Sequence, residues 1–208
     1  LALVTTDFDN EPRNGTTPDI GADEYNAPNY DGVVNVPGEL PTIQGAIDIA
    51  VNGDSILVAA GTYTENIDYS GKNLVIIGAD RDMTIIDGGG SGSVVTIISG
   101  ETSAVLSGFT LQNGNNNEGG GILVDGTSPT LSNLIIKNNA AVSNGGGIYI
   151  SNSSLLLKNS IIKDNSSESG SGVNIESTSY PTFLNVEISG NDAVSGPAIR
   201  VSGSDPVF

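Results

Sequence analysis

The residues of this chain that could carry chemistry are its carboxylates and its arginines. The chain contains no histidine and no cysteine, which excludes Ser-His-Asp and Cys-His nucleophilic arrangements as well as His- or Cys-ligated metals. The arginines are Arg13, Arg81 and Arg200. Acid-base or metal-assisted chemistry would therefore depend on these guanidinium groups together with Asp and Glu side chains.

One short acidic segment has the alternation of a calcium loop. Asp7, Asp9 and Glu11 place carboxylates at every second position. A complete EF-type loop would also need Gly at its sixth position and Glu at its twelfth, where this chain has Pro12 and Pro18. Both a Ca²⁺ site and a plain acidic turn remain open, and we expect no other cofactor.

The remaining candidates for catalysis are dispersed. Asp87, Glu118 and Asp125 are carboxylates that could share one flank, but their spacing does not require it. Arg81, within Ala79-Asp-Arg-Asp82, reads as part of a charged turn, and Arg200 as an outward strand position. The pattern favours a chain without a catalytic site.

The second half of the chain is built from a repeated phrase. Its copies begin 25, 26 and 26 residues apart, at Leu106, Leu131, Leu157 and Phe183. Two sets of asparagines keep the same period: Asn133, Asn159 and Asn185, and Asn139, Asn165 and Asn191. Such periodicity is typical of a solenoid, in which repeats stack because one repeat cannot bury its apolar face alone.

The repeats have the pattern of strands. Short segments such as Ile148-Tyr-Ile150 and Ile199-Arg-Val201 place β-branched residues at every second position, and Gly and Asn interrupt them too often for a helix. We therefore predict an all-β fold, a parallel β-helix solenoid of about six coils with neighbouring strands about 4.8 Å apart. Equivalent asparagines would then stack, bond amide to amide, and occupy left-handed corners.

The phrases Gly119-Gly-Gly-Ile122 and Gly145-Gly-Gly-Ile148 resemble the repeats of polymorphic outer-membrane proteins and of other right-handed, pectin-lyase-like β-helices. The resemblance implies a right-handed parallel β-helix. That superfamily contains polysaccharide lyases that use Ca²⁺ and an arginine base, esterases that use paired aspartates and an arginine, and inert surface proteins. No phrase here reproduces a catalytic motif of those enzymes.

Four segments are predicted along the chain. Residues 1–25, with Pro18-Asp-Ile-Gly-Ala-Asp-Glu-Tyr25, resemble the closing tail of a preceding β-helix module, and residues 26–40 read as a linker. Residues 41–52 have the apolar spacing of a short N-terminal capping α-helix. Residues 53–208 form the β-helix, which we expect to be cut from a longer polypeptide at the start of a further coil.

The composition of the chain limits the kinds of partner that it can bind. The formal net charge of −17 argues against nucleic acid and anionic membranes, and no apolar run reaches the roughly 20 residues of a membrane helix. We expect a non-catalytic structural or adhesive module at a bacterial cell surface or outside the cell. Glycans are candidate ligands, and Tyr149 and Tyr180 are predicted to be exposed for stacking on sugars.

The two ends of the chain are predicted to associate. An uncapped last coil would expose apolar side chains and unpaired backbone groups. We expect it to be covered by flanking modules of the same polypeptide or, head to tail, by a second copy. The residues predicted to form these assembly ends are Leu1, Leu3, Val4, Val207 and Phe208.

Overall fold

The structure, a computed structural model, describes residues 32–208. These residues contain one helix, α1 (Ile43–Ile49), and nineteen short strands. The strands are β1 (Val33–Val36), β2 (Ser55–Val58), β3 (Gly61–Thr64), β4 (Ile67–Asp68), β5 (Val75–Gly78), β6 (Thr84–Asp87), β7 (Val95–Ile97), β8 (Val105–Gln112), β9 (Asn115–Glu118), β10 (Ile122–Asp125), β11 (Thr130–Lys137), β12 (Ala140–Asn144), β13 (Ile148–Ser151), β14 (Leu156–Lys163), β15 (Ser166–Ser167), β16 (Val173–Glu176), β17 (Thr182–Ser189), β18 (Asp192–Ala193) and β19 (Ile199–Ser202).

The strands form three parallel sheets that the chain visits in turn. The first sheet has the order β1-β2-β5-β8-β11-β14-β17, with β3 and β6 joined to it beside β8; the second runs β19-β16-β13-β10-β7-β4 and the third β18-β15-β12-β9. Each full turn of the solenoid adds a strand beside the equivalent strand of the previous turn in the sheets that it passes through. This is the topology of a β-helix. The predicted all-β parallel solenoid is therefore confirmed.

The solenoid is one turn longer than predicted. Seven strands stack along the first sheet, where the sequence indicated about six coils. The additional one is β1, which lies within the segment 26–40 that was predicted to be a linker. Its Val34 and Val36 are buried and pair in register with Ile56 and Val58 of β2. Four residues between Gly- and Pro-rich neighbours were too short a pattern to reveal a strand.

The repeated phrase of the sequence is the stacked core of the first sheet. Leu106, Leu131, Leu157 and Phe183 pair in register from β8 to β17, and all four are buried. Each side chain rests on its equivalent in the next turn, about 4.8 Å away. Stacking of like residues explains why the period of the sequence is so regular.

A left-handed residue bends each long strand of the first sheet. Gly108, Asn133, Asn159 and Asn185 have φ of 83°, 53°, 52° and 54° in β8, β11, β14 and β17. Asparagine and glycine adopt this conformation more readily than other residues. The bend changes the inside-outside alternation, so that Leu131 and Leu134, three residues apart, are both buried.

Helix α1 packs against β1, β2 and β4 and buries Ile43, Ala46 and Ile47. It lies within the predicted capping segment 41–52. Within residues 32–208, no helix is long and apolar enough to cross a membrane.

Charged side chains hold both ends of this helix. The Glu65 carboxylate accepts hydrogen bonds from the N–H groups of Ile43 and Gln44, at 3.0 and 2.9 Å. Lys72 Nζ donates to the carbonyls of Ile47 and Asp48, at 2.7 and 2.9 Å. Both charges complement the helix dipole and satisfy terminal backbone groups.

Candidate functional site

One asparagine set forms a ladder of amides, in which Asn139 and Asn165 are buried and Asn191 is half-buried. Asn139 Nδ2 donates to Asn165 Oδ1 at 3.1 Å, and Asn165 Nδ2 donates to Asn191 Oδ1 at 2.9 Å. The same oxygens accept the backbone N–H groups of Asn139 and Asn165, each at 3.0 Å. The ladder therefore joins three successive turns along the rod axis.

The other asparagine set lines the outside of the solenoid. Asn133, Asn159 and Asn185 are exposed and occupy the left-handed corners of three successive turns. Asn185 Nδ2 donates to Asn159 Oδ1 at 3.0 Å. These side chains form one wall of a groove with a volume of about 610 Å³.

A loop from an earlier turn forms the other wall. Residues 79–83 connect β5 to β6, and Arg81 Nη1 donates to the Asn159 carbonyl oxygen at 3.2 Å. The loop is anchored by Thr110, whose hydroxyl donates to the Arg81 carbonyl at 2.7 Å. Asp80 Oδ1 accepts the Asp82 N–H at 2.8 Å, which closes a tight turn.

The groove is polar and carries charges of both signs. Its lining consists of Ala79, Asp80, Arg81, Asp82, Asn133, Asn159, Ser160, Ile161, Asn185 and Glu187. The asparagine amides offer both donors and acceptors, whereas the carboxylates only accept and the guanidinium only donates. Such a lining suits a hydroxylated ligand held by hydrogen bonds.

This site was not predicted from the sequence, because Arg81 was interpreted as part of a charged turn. A length signal was present: seven residues, 78–84, separate Ile77 from Ile85, whereas only two, 108–109, separate their partners Ser107 and Thr110 in β8. An insertion at a corner of a solenoid projects from the stack, so it can contact later turns. That difference in loop length could have located the groove.

The three dispersed carboxylates do not meet. Asp87 ends β6 in the first sheet, Glu118 ends β9 in the third and Asp125 ends β10 in the second. Within residues 32–208, no group of three or more acidic side chains is placed to hold a metal ion. Asp7, Asp9 and Glu11, the predicted Ca²⁺ ligands, lie outside the described residues.

Asp87 instead organises a corner. Its carboxylate accepts hydrogen bonds from Gln112 at 2.9 Å, from Asn113 at 2.7 Å and from the Gly89 N–H at 2.9 Å. Partial burial raises the pKa of Asp87. The three hydrogen bonds together lower it by more, so the pKa lies below the usual value. The charged form is therefore the one that stabilises this corner.

Arg200 and Tyr149 belong to a second polar cluster, on the outer side of the second sheet. Arg200 Nη1 contacts Glu176 Oε2 at 3.5 Å and Asn174 Oδ1 at 3.1 Å, and the Tyr149 hydroxyl donates to Glu176. Burial raises the pKa of Tyr149, and the hydrogen bond to Glu176 and the charges of Glu118 and Glu176 raise it further. Arg200 and Arg81 thus belong to two separate polar clusters.

The prediction that Tyr149 is exposed is wrong, because only 9% of it is accessible. The backbone at Gly145 packs against its strand: a Cβ on Gly145 would lie 2.9 Å from the Cα of Tyr149. Tyr180 is exposed, as expected.

The last turn of the solenoid exposes an apolar edge. Phe208 stacks on Phe183 with ring centroids 4.9 Å apart, and the Phe183 N–H donates to the Val207 carbonyl at 2.8 Å. Phe208 is 65% exposed and Val207 56% exposed. Among the described strands, β17, β18 and β19 end their sheets. Leu1, Leu3 and Val4, the predicted partners of this edge, lie outside residues 32–208.

Comparison with known proteins supports the architecture. A family profile described as "Right handed beta helix region" matches residues 93–208, more than half of the chain. Searches of curated proteins and of solved structures gave no significant match. The matched residues contain the in-register leucine stack and both asparagine sets, and on this evidence the chain belongs to the right-handed β-helix family.

Proposed function

We propose that this chain is a non-catalytic structural and adhesive module of an extracellular surface protein or fibre. The observation that carries the proposal is the amide ladder of Asn139, Asn165 and Asn191, which links successive turns along the axis. Together with the in-register apolar stack, it makes a stiff column from a repeated sequence. A stiff column suits a protein that displays a surface at a distance from its anchor.

The groove beside Arg81 is the proposed contact surface of this module. It presents one exposed asparagine on each of three successive turns, at Asn133, Asn159 and Asn185. A ligand that extends along the axis would meet the same group in every turn. This repetition favours binding of a chain-like molecule such as a glycan.

An extracellular or cell-surface location in a bacterium fits the charge of the module. A formal net charge of −17 keeps an exposed rod soluble and opposes binding to nucleic acid and anionic lipid. The absence of cysteine makes the fold independent of the redox state of its surroundings.

The apolar edge of the last turn is a proposed assembly surface. Its proposed occupant is the N-terminal segment of a second copy, through Leu1, Leu3 and Val4, which are uncharged and apolar like the core residues of the strands. At the opposite end of the described solenoid, helix α1 packs against β1, β2 and β4. Head-to-tail contact of this kind extends into filaments.

Sedimentation velocity over a range of concentrations tests the assembly. Phe208→Asp and Leu3→Asp should each abolish concentration-dependent association, because they place a charge in an apolar contact. Val142→Asp is the matched control, since Val142 is also exposed but lies in β12, away from this edge. A wild-type chain that stays monomeric at every concentration, or association that survives both variants, would refute head-to-tail contact.

A second candidate function is a polysaccharide lyase or esterase acting on an acidic polysaccharide. The observation that favours it is the placement of Arg81 with Asp80, Asp82 and Glu187 in one groove. An arginine and paired carboxylates are the groups that remain for acid-base chemistry in a chain without histidine.

Incubation with polygalacturonate and with methyl-esterified pectin, each with and without Ca²⁺, separates the two functions. The structural proposal expects neither unsaturated product nor methanol. Turnover that is lost in Arg81→Ala, while the variant keeps the wild-type melting temperature, would replace it by the catalytic function.

A further inference from the structure

From the groove beside Arg81 we infer the class of its ligand: an uncharged, hydroxyl-rich chain, such as a neutral polysaccharide, lying along the rod axis. The inference rests on the proposed adhesive function and adds the chemistry that the groove selects. The inferred ligand is neutral, whereas the lyase or esterase of the second candidate function would act on an acidic polysaccharide.

The charge of the groove disfavours an anion. Asp80, Asp82 and Glu187 place three negative groups against the single positive group of Arg81. The whole chain adds a formal charge of −17, so the field at the groove repels polyanions before contact. The Arg81 guanidinium is also partly engaged, because its Nη1 donates to the Asn159 carbonyl.

The polar wall of the groove suits hydroxyl groups. A hydroxyl both donates and accepts, and so does a primary amide. The Asn133 amide has no hydrogen-bond partner among residues 32–208, and in the pair formed by Asn185 Nδ2 and Asn159 Oδ1 each amide keeps capacity for further bonds. Asp82 adds an acceptor. Neutral hydroxyls can use all of these groups without placing charge against charge.

The spacing of the wall sets the direction of the ligand. Asn133, Asn159 and Asn185 lie on successive turns, so their amides repeat about every 4.8 Å along the axis. A linear polymer that lies parallel to the rod can offer a hydroxyl at each step. A compact ligand of one or two rings would reach only part of the wall, so affinity should rise with chain length.

Isothermal titration of the full chain with neutral and acidic hexasaccharides tests the inference. Cellohexaose and mannohexaose are the neutral probes, and hexagalacturonate, with EDTA and then with Ca²⁺, is the acidic probe. At least one neutral probe should bind more tightly than hexagalacturonate under both conditions, and the corresponding disaccharide should bind more weakly. Tighter binding of hexagalacturonate, with or without Ca²⁺, would overturn the inference.

Two variants place the binding in the groove. Asn133→Gly keeps the left-handed backbone and removes the amide, so neutral binding should weaken about threefold to tenfold, the value of one or two hydrogen bonds. Asn138→Gly is the matched control: Asn138 is also exposed with φ of 54° but does not line this groove, so binding should be unchanged. Equal effects of the two variants would refute the site.

A charge variant tests the reason for the preference. Asp82→Asn combined with Glu187→Gln should strengthen hexagalacturonate binding and leave neutral binding within about twofold, because only the anion meets the removed charges. If hexagalacturonate binds more tightly than the neutral probes and Asn133→Gly weakens that binding, the groove is still the adhesive site. Only the proposed class of ligand is then refuted. If the folded chain binds no probe, both the ligand class and the adhesive part of the proposed function fail.

Discussion

Arg81 donates a hydrogen bond from Nη1 to the carbonyl oxygen of Asn159, a residue 78 positions later in the chain, at 3.2 Å. Arg81 follows β5 and Asn159 lies in β14, three strands further along the first sheet. One inserted loop thus crosses several repeats that are otherwise alike. This contact converts a regular solenoid surface into a local groove.

Asn165→Ala should destabilise the solenoid by about 3–5 kcal/mol, since it removes a buried side chain that bonds in both directions. Asn165 Nδ2 donates to Asn191 and to the Ile136 carbonyl at 3.0 Å, and its oxygen accepts from Asn139. Urea unfolding measures the change. Asn185→Gly, at an exposed corner, should cost less than about 1 kcal/mol, and equal losses for both variants would contradict a special role for the buried ladder.

Glu101→Ala should cost about 2–4 kcal/mol, because two backbone N–H groups lose their buried, charged acceptor. Glu101 is fully buried and accepts the N–H groups of Gly71 and Ser99, each at 2.8 Å. Glu101→Gln keeps one oxygen and should lose less. Thermal unfolding provides the measurement, with the exposed Glu168→Ala as control; a wild-type melting temperature for Glu101→Ala would disprove this account.

Glu65→Ala should loosen helix α1 without unfolding the later turns. The Ile43 and Gln44 N–H groups lose their carboxylate acceptor, and charge-assisted bonds contribute about 1.5–3 kcal/mol. Amide hydrogen exchange in residues 43–50 should therefore accelerate at least about tenfold. Exchange in β11 and β14 should not change. Glu187→Ala, at the far end of the first sheet, is the control that should leave α1 unaffected.

Stability should fall below about pH 4, and part of that loss should come from Asp87. Its folded pKa lies below the usual value, so its contribution is complete above the unfolded pKa of about 3.9 and disappears as the pH falls through the folded pKa. Unfolding free energies measured from pH 7 down to pH 2 should decline less steeply in Asp87→Asn than in the wild type. Parallel curves would show that Asp87 does not contribute.

The repeat carried most of the fold information. In a solenoid the neighbour of each residue is its equivalent one turn away, so Leu106, Leu131 and Leu157 signal their contacts through spacing alone. The left-handed corners could be predicted for the same reason. Asn133 and Asn159 recur at one position of the repeat, and there the backbone has φ near 53°. The short strand at Val33–Val36 could not be read in this way, because it precedes the regular repeats.

The amino-acid sequence by itself determined the period, the parallel β architecture and the positions of the two asparagine sets, because in-register stacking demands like residues at like positions. Only the tertiary structure decided that Tyr149 is covered, that Asp87, Glu118 and Asp125 are separated on three sheets, and that Arg81 reaches Asn159. Those relationships depend on how far loops outside the repeat project and which turns they contact. Loop direction has no periodic signature, so it follows from packing in three dimensions.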